Sequence, residues 1–285
     1  NDKEVEKEEE EKRRRRAPFE VAFCLDLPEG RCVGLRLPPS SSSSPSAESD
    51  GTKEHWIREY LPPEEVGFGL DQGCAGTRDS FFAGRLAIRA ALGSLAKQQQ
   101  EEEQGTAEGS SASSVPSVPR IGPSSSSSFP PILRDGHGRP TVPDGFLGSI
   151  SHKRVTGVAL VSRDDDNKGG KRGRPRRGVG VDIEQTRSRR MSIERKVLTK
   201  GELDDLGKLE GVTRSEEVLL RFSLKESVYK ALHPLLTQYI GFQEAEIVPL
   251  PDGTARVALD LKTGAQDRLG YVGAHWRRMR VRRGE

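Results

Sequence analysis

Two carboxylates separated by one residue stand in the run Gly178–Glu184, which reads GVGVDIE. If this run is a β-strand, Asp182 and Glu184 share one face, with roughly 7 Å between their Cα atoms. Carboxylates on one face repel each other unless a cation lies between them, and Mg²⁺ binds through one or two carboxylates plus substrate phosphates. The spacing predicts a metal site, with the solvated face of an amphipathic strand as the alternative.

A third carboxylate lies in the predicted helix 216–233. Glu226 falls inside an apolar stripe of Leu219, Phe222 and Tyr229, where an unpaired charge is costly. Lys230 follows at i+4, the favourable order for an intrahelical ion pair. Glu226 is therefore either an ordinary ion-paired residue or a third metal ligand.

Basic side chains that could bind an anion surround His152. The hydroxyl of Ser151 precedes it, and Lys153 and Arg154 follow it. Hydroxyl and basic side chains are common ligands of phosphate groups. The alternative is a structural or exposed histidine.

Arginines form a second basic group on the predicted helix 78–96. Arg78, Arg85 and Arg89 stand at i, i+7 and i+11 and therefore share one face, and Arg134 in the following loop could join them. Either these arginines bind an anion or they form a solvated stripe.

Helices and short strands alternate along the chain in an order that must position these residues. The sequence predicts an α+β fold with antiparallel hairpins, since no regular βαβ repeat is visible. Predicted helices cover 78–96, 190–209 and 216–233, with a short helix or loop at 54–66. Predicted strands cover 19–37 as a hairpin, 146–161 as two strands around Ser151–His152, 178–184, 244–250, 255–261 and 270–276.

Only 33% of the 285 residues are apolar, whereas roughly 45–50% is ordinary for a globular domain. The low-complexity segments explain this deficit, because they dilute the apolar content of an otherwise normal core. We predict a disordered charged tail at 1–17, an N-terminal module at 18–162, a basic disordered loop at 163–178 and a C-terminal module at 179–285 carrying the metal site. Segments 38–50 and 97–131 are predicted insertions within the first module.

Membrane proteins and disulfide scaffolds are excluded as classes. No run approaches the ~18 apolar residues of a membrane span, and three cysteines without a CxxC pair favour a reducing compartment. We expect a cytoplasmic location. An organelle address stays open, because the chain begins with Asn1 rather than Met.

The order of the motifs resembles that of the 4′-phosphopantetheinyl transferase superfamily, in particular the type of the enterobactin synthase component D and the surfactin-synthetase-activating enzymes. The stretches SISH, GVGVDIE and FSLKESVYK carry the resemblance, with AGR upstream. It covers roughly residues 75–260 once the insertions are set aside.

This resemblance implies Mg²⁺-dependent transfer of the 4′-phosphopantetheine group from coenzyme A to a serine of an apo acyl- or peptidyl-carrier protein, with release of 3′,5′-ADP. It implies a pseudo-dimer of two similar α/β modules, and we expect a monomer. The implied metal ligands are Asp182, Glu184 and Glu226, and the implied catalytic residues are Glu226, Lys230 and Asp182. The implied coenzyme A ligands are Arg78, Arg85, Arg134, Ser151, His152 and Lys230.

A competing interpretation comes from residues 171–177, KRGRPRR, in which Arg-Gly-Arg-Pro resembles the core of an AT-hook. On this interpretation the chain is a DNA-binding or adaptor protein with an inactive transferase module. We do not expect nucleic acid as a partner, because no position of the catalytic motifs is degraded.

Overall fold

The computed structural model describes residues 19–38, 47–103, 129–164, 177–186 and 193–279. Its strands are β1 (Glu20–Leu27), β2 (Gly30–Arg36), β3 (Phe146–Lys153), β4 (Thr156–Arg163), β5 (Ala245–Pro249), β6 (Thr254–Leu259) and β7 (Ala274–His275). Its α-helices are α1 (Ala47–Tyr60), α2 (Pro63–Leu70), α3 (Ala75–Glu103), α4 (Glu194–Val197), α5 (Lys200–Asp204) and α6 (Arg214–Leu236).

The N-terminal half is a four-stranded antiparallel sheet packed against α3. The strand order is β1-β2-β4-β3. The apolar stripe expected on the helix is buried: Phe82, Leu86 and Ala90 are all less than 5% exposed and belong to one core cluster with Val33, Leu35 and Ala159 of the sheet. This cluster fixes the arginine-bearing helix against the strands that carry Ser151 and His152.

Glycines bring α3 unusually close to β3 and β4. A Cβ atom added to Gly157 would lie 2.3 Å from the carbonyl oxygen of Ala83, and one added to Gly84 would lie 2.8 Å from Ile150 Cγ2. Any larger residue would therefore push the helix away from the sheet. The close approach sets Arg85, next to Gly84, beside the end of β3.

The C-terminal half is a three-stranded antiparallel sheet, β5-β6-β7, packed against α6. The helix begins after a capping box, in which Thr213 and Glu216 satisfy each other's backbone N–H groups. It ends at Leu236, before Thr237 in the left-handed conformation (φ 52°).

The buried face of α6 differs from the expected stripe of Leu219, Phe222 and Tyr229. Leu224, Val228 and Leu232 face the core instead, and the charged residues Glu217, Arg221 and Lys225 are buried beside them. Charges at i, i+4 and i+8 normally indicate a solvated face, but here each has a buried partner of opposite charge. Glu226 therefore lies on a half-buried flank of the helix, not within its core stripe.

An extended segment, residues 177–185, lies between the two halves. Val179, Val181 and Ile183 pack on the face of the four-stranded sheet opposite α3, with Cys32, Val158 and Leu160. On the other side a Cβ added to Gly178 or Gly180 would lie about 2 Å from carbonyl oxygens of α6, those of Ala231 (2.1 Å) and Ser227 (1.9 Å). The paired glycines thus allow the segment to lie directly on the helix.

The prediction of a β-strand at 178–184 is wrong, because this described segment is extended but forms no hydrogen-bonded ladder with either sheet. At Val181 the N–H donates to Ser149 Oγ (3.1 Å) and the carbonyl accepts from Lys230 Nζ (3.0 Å), so side chains replace a ladder partner. The alternation of faces inferred from the sequence is nevertheless present.

The expected mixture of helices and antiparallel sheets is confirmed. Several element boundaries differ from expectation, and of the predicted strand 270–276 only Ala274–His275 is a strand. In the described part of the segment 190–209, residues 193–209, the single expected helix is replaced by two short helices, because Thr199 starts α5 with a capping box of its own. The turn between β3 and β4 falls at Arg154 and Val155, where Arg154 has a φ of 54°, not at Ser151–His152.

The predicted tail 1–17 lies entirely outside the described residues. The other predicted low-complexity segments, 38–50, 97–131 and 163–178, are described only at their ends, since residues 39–46, 104–128 and 165–176 lie outside the description. Where they are described, α3 continues to Glu103 and α1 begins at Ala47. Among the described helices, none has both the length and the hydropathy required to cross a bilayer.

Candidate active site

Asp182 is the centre of a hydrogen-bond network between the two halves of the chain. Its Oδ1 accepts from Ser151 Oγ of β3 (2.7 Å) and from Lys230 Nζ of α6 (2.8 Å), and its Oδ2 accepts from Ser223 Oγ (2.9 Å). The carboxylate is only 9% exposed. One side chain therefore connects the sheet, the extended segment and the helix.

Glu184, the second carboxylate of the motif, pairs with Lys153. The Lys153 Nζ lies 2.9 Å from Oε1 and 2.7 Å from Oε2, so a single ammonium contacts both oxygens. Glu184 is 9% exposed and Lys153 is 27% exposed. The two carboxylates of the segment each have a lysine partner, from different halves of the chain.

Glu226 stands one turn of α6 from both Ser223 and Lys230. Burial and then the negative charge of Asp182 raise the pKa of Glu226, the ammonium of Lys230 opposes this, and Glu184 adds to it. All three carboxylates thus influence one another. A carboxylate whose pKa is raised is better suited to accept a proton than an ordinary one.

The three carboxylates have the hard oxygen donors that a magnesium ion prefers. As the side chains are placed, however, the described part of the chain contains no group of three or more His, Cys, Asp or Glu residues poised around one metal position. Lysine ammonium groups contact Asp182 and Glu184 instead.

Arg85 is the centre of the positive side of the site. It is 4% exposed, its guanidinium stacks 4.7 Å from the Phe81 ring centroid, and its Nε has no hydrogen-bond partner among the described residues. Burial lowers its pKa to about 10, which the charge of Glu65 opposes and those of Arg134 and Arg89 reinforce. A buried guanidinium with an unused Nε–H donor is suited to an anionic ligand.

Arg134 reaches the same place from the loop after residue 129. Its guanidinium lies 5.8 Å from the Phe68 ring centroid and 5.9 Å from that of Phe81. The loop is shaped by Asp135, whose carboxylate accepts from the N–H groups of His137 and Arg139 (both 2.9 Å). Arg134 and Arg85 therefore share the aromatic surface around Phe81.

His152 links the positive side to the carboxylates. Burial lowers its pKa, and so do the charges of Arg134, Lys230 and Arg85, in that order. The histidine is therefore close to both arginines and to the lysine that holds Asp182. Groups expected from the sequence to bind an anion and groups expected to bind a cation are adjacent.

The other two arginines of the predicted basic face have different surroundings from Arg85. Arg78 is half-buried near Cys74, whose thiol pKa is lowered by hydrogen bonds with Thr77 and, less, by the charge of Arg78. Arg89 is 3% exposed and bonds to the buried carboxylate of Glu65, with Nη2 2.5 Å from Oε1. The solvated-stripe alternative is wrong for Arg85 and Arg89, which are both buried.

Sequence reasoning missed several residues that build the site. Ser223 escaped notice, although its position one turn before Glu226 placed it on the same side of the helix. Ser149 was not recognised as the acceptor for the backbone N–H of Val181. Lys153 was noted as a basic neighbour of His152, but its pairing with Glu184 depends on the register of β3 and β4, which the sequence does not give.

Comparison with known proteins gives the same assignment as the motifs. Residues 178–277 match the family model of the 4′-phosphopantetheinyl transferase superfamily. This segment includes the extended segment, α6 and the second sheet. The resemblance inferred from the motifs is therefore confirmed, with residues 178–277 as the part that matches the family model.

Several curated proteins are similar to parts of the chain. The chain is 28% identical over 153 residues to the 4′-phosphopantetheinyl transferase PptT of Mycobacterium tuberculosis (51% of this chain, 63% of the relative). It is 31% identical over 112 residues to enterobactin synthase component D of Salmonella austin (39% and 42%). It is 41% identical over 76 residues to the holo-[acyl-carrier-protein] synthase of Lactobacillus helveticus (25% and 64%). In each case the matched part is less than two thirds of the relative's length.

Proposed function

We propose that this chain transfers the 4′-phosphopantetheine group of coenzyme A to a serine of an acyl- or peptidyl-carrier protein and releases 3′,5′-ADP. One observation carries the proposal: the buried guanidinium of Arg85, the exposed guanidinium of Arg134 and the half-buried His152 adjoin the carboxylates Asp182 and Glu226, with Lys230 between them. A pyrophosphate needs positive ligands, whereas phosphoryl transfer to a hydroxyl also needs a base. The cluster supplies both within one site.

In the proposed reaction the serine oxygen of the carrier attacks the β-phosphorus of coenzyme A. A new P–O bond forms to serine, and the bond from that phosphorus to the bridging oxygen breaks, leaving 3′,5′-ADP. Glu226 takes the serine proton, directly or through a water molecule, which its raised pKa favours. Lys230 stabilises negative charge on the pyrophosphate during transfer.

The ligands for coenzyme A come from the N-terminal half. We assign Arg85, Arg134, Ser151 and His152 to its phosphates, including the 3′-phosphate, and Arg78 as a further phosphate ligand from the start of α3. The buried, unpartnered Nε of Arg85 supports this assignment most directly. Arg89 is excluded from the set, because Glu65 and two backbone carbonyls already use its donors.

Asp182, Glu184 and Glu226 are the proposed Mg²⁺ ligands, because carboxylate oxygens suit a hard cation. Bound there, the ion would neutralise charge on the pyrophosphate. The two lysines now on Asp182 and Glu184 mark positions where positive charge is stabilised.

We further propose that the two halves are the modules of a pseudo-dimer, acting as a monomer in the cytoplasm. The support is architectural: each half has an antiparallel sheet packed against one long helix, and the site lies at their contact. The AT-hook alternative gains no support, because residues 171–176 lie outside the described ranges.

The test is to incubate the full chain with coenzyme A, Mg²⁺ and a panel of apo carrier proteins, and to weigh each carrier by mass spectrometry. We expect at least one carrier to gain the mass of one phosphopantetheine group, and none to do so without coenzyme A. Failure with every class of carrier, together with salt-dependent binding to an A·T-rich duplex, would instead support the AT-hook interpretation.

A further inference from the structure

Lys153 is the last residue of β3 and contacts both oxygens of Glu184, at 2.9 and 2.7 Å. The backbone on each side of this contact is fixed. Lys153 pairs with Thr156 in the antiparallel ladder, and the segment of Glu184 is tied down at Val181 by Ser149 and Lys230. The ammonium is therefore placed on Glu184 by the fold and not by a flexible surface loop.

The two lysines of the site have different surroundings. Lys230 divides its donors between Asp182 Oδ1 and the carbonyl of Val181, and Asp182 also accepts from two serines. Lys153 instead directs its ammonium at the two oxygens of one carboxylate. At Glu184 a unit positive charge therefore lies within hydrogen-bond distance of both carboxylate oxygens.

We infer that Lys153 is a positioning residue that acts as a built-in cation on Glu184, so that a divalent ion is held mainly by Asp182 and Glu226. This rests on the proposed function only in taking these three carboxylates as the metal site. A positive charge within hydrogen-bond distance of one ligand repels a second cation at the same site. Lys153 therefore weakens metal binding in the free protein.

The experiment measures binding of Mn²⁺, as a paramagnetic substitute for Mg²⁺, to the full chain by electron paramagnetic resonance, without coenzyme A or carrier. We expect Lys153→Met to bind Mn²⁺ about tenfold more tightly than the parent, because one repelling charge is gone. Lys153→Arg should retain the affinity of the parent. Arg154→Met, which removes an exposed charge from the next residue, is the matched control and should change the affinity little.

Glu184→Gln completes a double-mutant cycle. In the parent background it should change the Mn²⁺ affinity less than about threefold, whereas in the Lys153→Met background it should abolish the gain. Unchanged or weaker binding by Lys153→Met, or tighter binding by Lys153→Arg, would overturn the inference. If Lys153→Met does not fold, Glu184→Gln alone decides, because a large loss of affinity would make Glu184 a principal ligand.

The result is separable from the proposed activity. A chain that binds Mn²⁺ with the expected pattern but modifies no carrier would contradict the transferase proposal and leave the role of Lys153 intact. A chain that modifies a carrier but shows no effect of Lys153→Met on Mn²⁺ would contradict only the inference about Lys153. A parent that binds no Mn²⁺ at millimolar concentration would overturn the inference as well.

Discussion

Ion pairs inside the two halves differ from those at their contact. Among the described residues three pairs are fully buried, with every side chain no more than 2% exposed: Glu65–Arg89, Glu202–Lys225 and Glu217–Arg221. Each of these charges also bonds to backbone groups. Glu65, for example, accepts from the N–H of Ile132 (2.6 Å), and Lys225 donates to the carbonyls of Val197 and Phe242.

The pairs at the contact, Asp182–Lys230 and Glu184–Lys153, leave their lysines 27% exposed. Asp182 is held by side chains alone, two of them serine hydroxyls. Nearby, Arg85 is buried with one donor unpaired among the described residues. These groups can change partners when a ligand arrives, which the fully bonded pairs of the interior cannot do.

The difference separates charges that hold the chain together from charges that are available for chemistry. Arg85 and Arg89 make the point within one helix, since they are one turn apart and equally buried. Arg89 crosslinks α2 to the backbone of residues 129–132 and thereby positions the loop of Arg134. In the part of the chain that the structure describes, Arg85 has no comparable partner, and we propose that it binds the ligand.

The largest effect is expected from breaking a fully buried pair. Arg89→Met leaves the Glu65 carboxylate buried without its partner, which should lower the free energy of unfolding by about 3–5 kcal/mol. Lys230→Met, at the contact, should lower it by about 1 kcal/mol or less, because its partner keeps two serine donors. Urea denaturation of the two variants checks this, and equal losses would remove the distinction between the two kinds of pair.

The second prediction concerns Asp182, the centre of the contact network. Asp182→Asn should lower kcat by at least about 10²-fold, because the change removes a proposed metal ligand and loosens Lys230. Adding Glu226→Gln should cost far less than the product of the single effects, since both act on one site. Transfer rates of the single and double variants measure this, and fully multiplicative losses would place the two carboxylates in separate sites.

The third prediction uses the contrast between the two arginines of α3. Arg85→Met should weaken binding of coenzyme A about tenfold, because a charged hydrogen bond to phosphate is lost. Its unfolding free energy should stay equal to that of the parent or rise, since a buried unpaired charge is removed. Calorimetric titration and urea denaturation give both values, and a loss of stability like that of Arg89→Met would show Arg85 to be structural.

The smallest effect is a pH dependence of stability at His152. Burial and the nearby positive charges lower its pKa from 6.5, so the unfolded chain binds this proton more readily than the folded chain. Its contribution to stability is therefore present above pH 6.5 and is lost as the pH falls below that value.

His152→Gln should accordingly reduce the fall in Tm between about pH 7 and about pH 5 by a few degrees. The exposed His55 provides the matched control, and His55→Gln should leave the pH profile as in the parent. Identical profiles for all three proteins would show that His152 is not surrounded by positive charge.

The sequence predicted the parts of the fold that depend on local pattern. The hairpins and the helix stripe of Phe82, Leu86 and Ala90 follow from short-range periodicity, and the structure has them. The predicted core face of α6 was wrong, because Glu217, Arg221 and Lys225 are buried there. Each of them also bonds to a group outside the helix, at Gly207, Ile247 and Glu202 respectively. Periodicity identifies charges but not whether a remote residue neutralises them.

In the site, too, the features that follow from local pattern were predicted and those that depend on remote residues were not. The alternation in GVGVDIE correctly gave one face to Val179, Val181 and Ile183, and the motifs identified the two carboxylates. The glycines at 178 and 180 were not recognised as contacts with α6, because close approach of two backbones leaves no periodic signal. Lys153 and Ser223 likewise depend on the register of neighbouring elements.

The most direct measurement of the central claim compares two carboxylate variants in the carrier-modification assay. Glu226→Gln changes the proposed base at the contact, and Glu210→Gln changes an exposed glutamate outside it. With coenzyme A, Mg²⁺ and a carrier that the parent modifies, Glu210→Gln should act at the rate of the parent. Glu226→Gln should be slower by at least about 10²-fold, with a Tm equal to or above that of the parent because its charge is disfavoured there. Transfer by Glu226→Gln at the parent's rate would contradict the account.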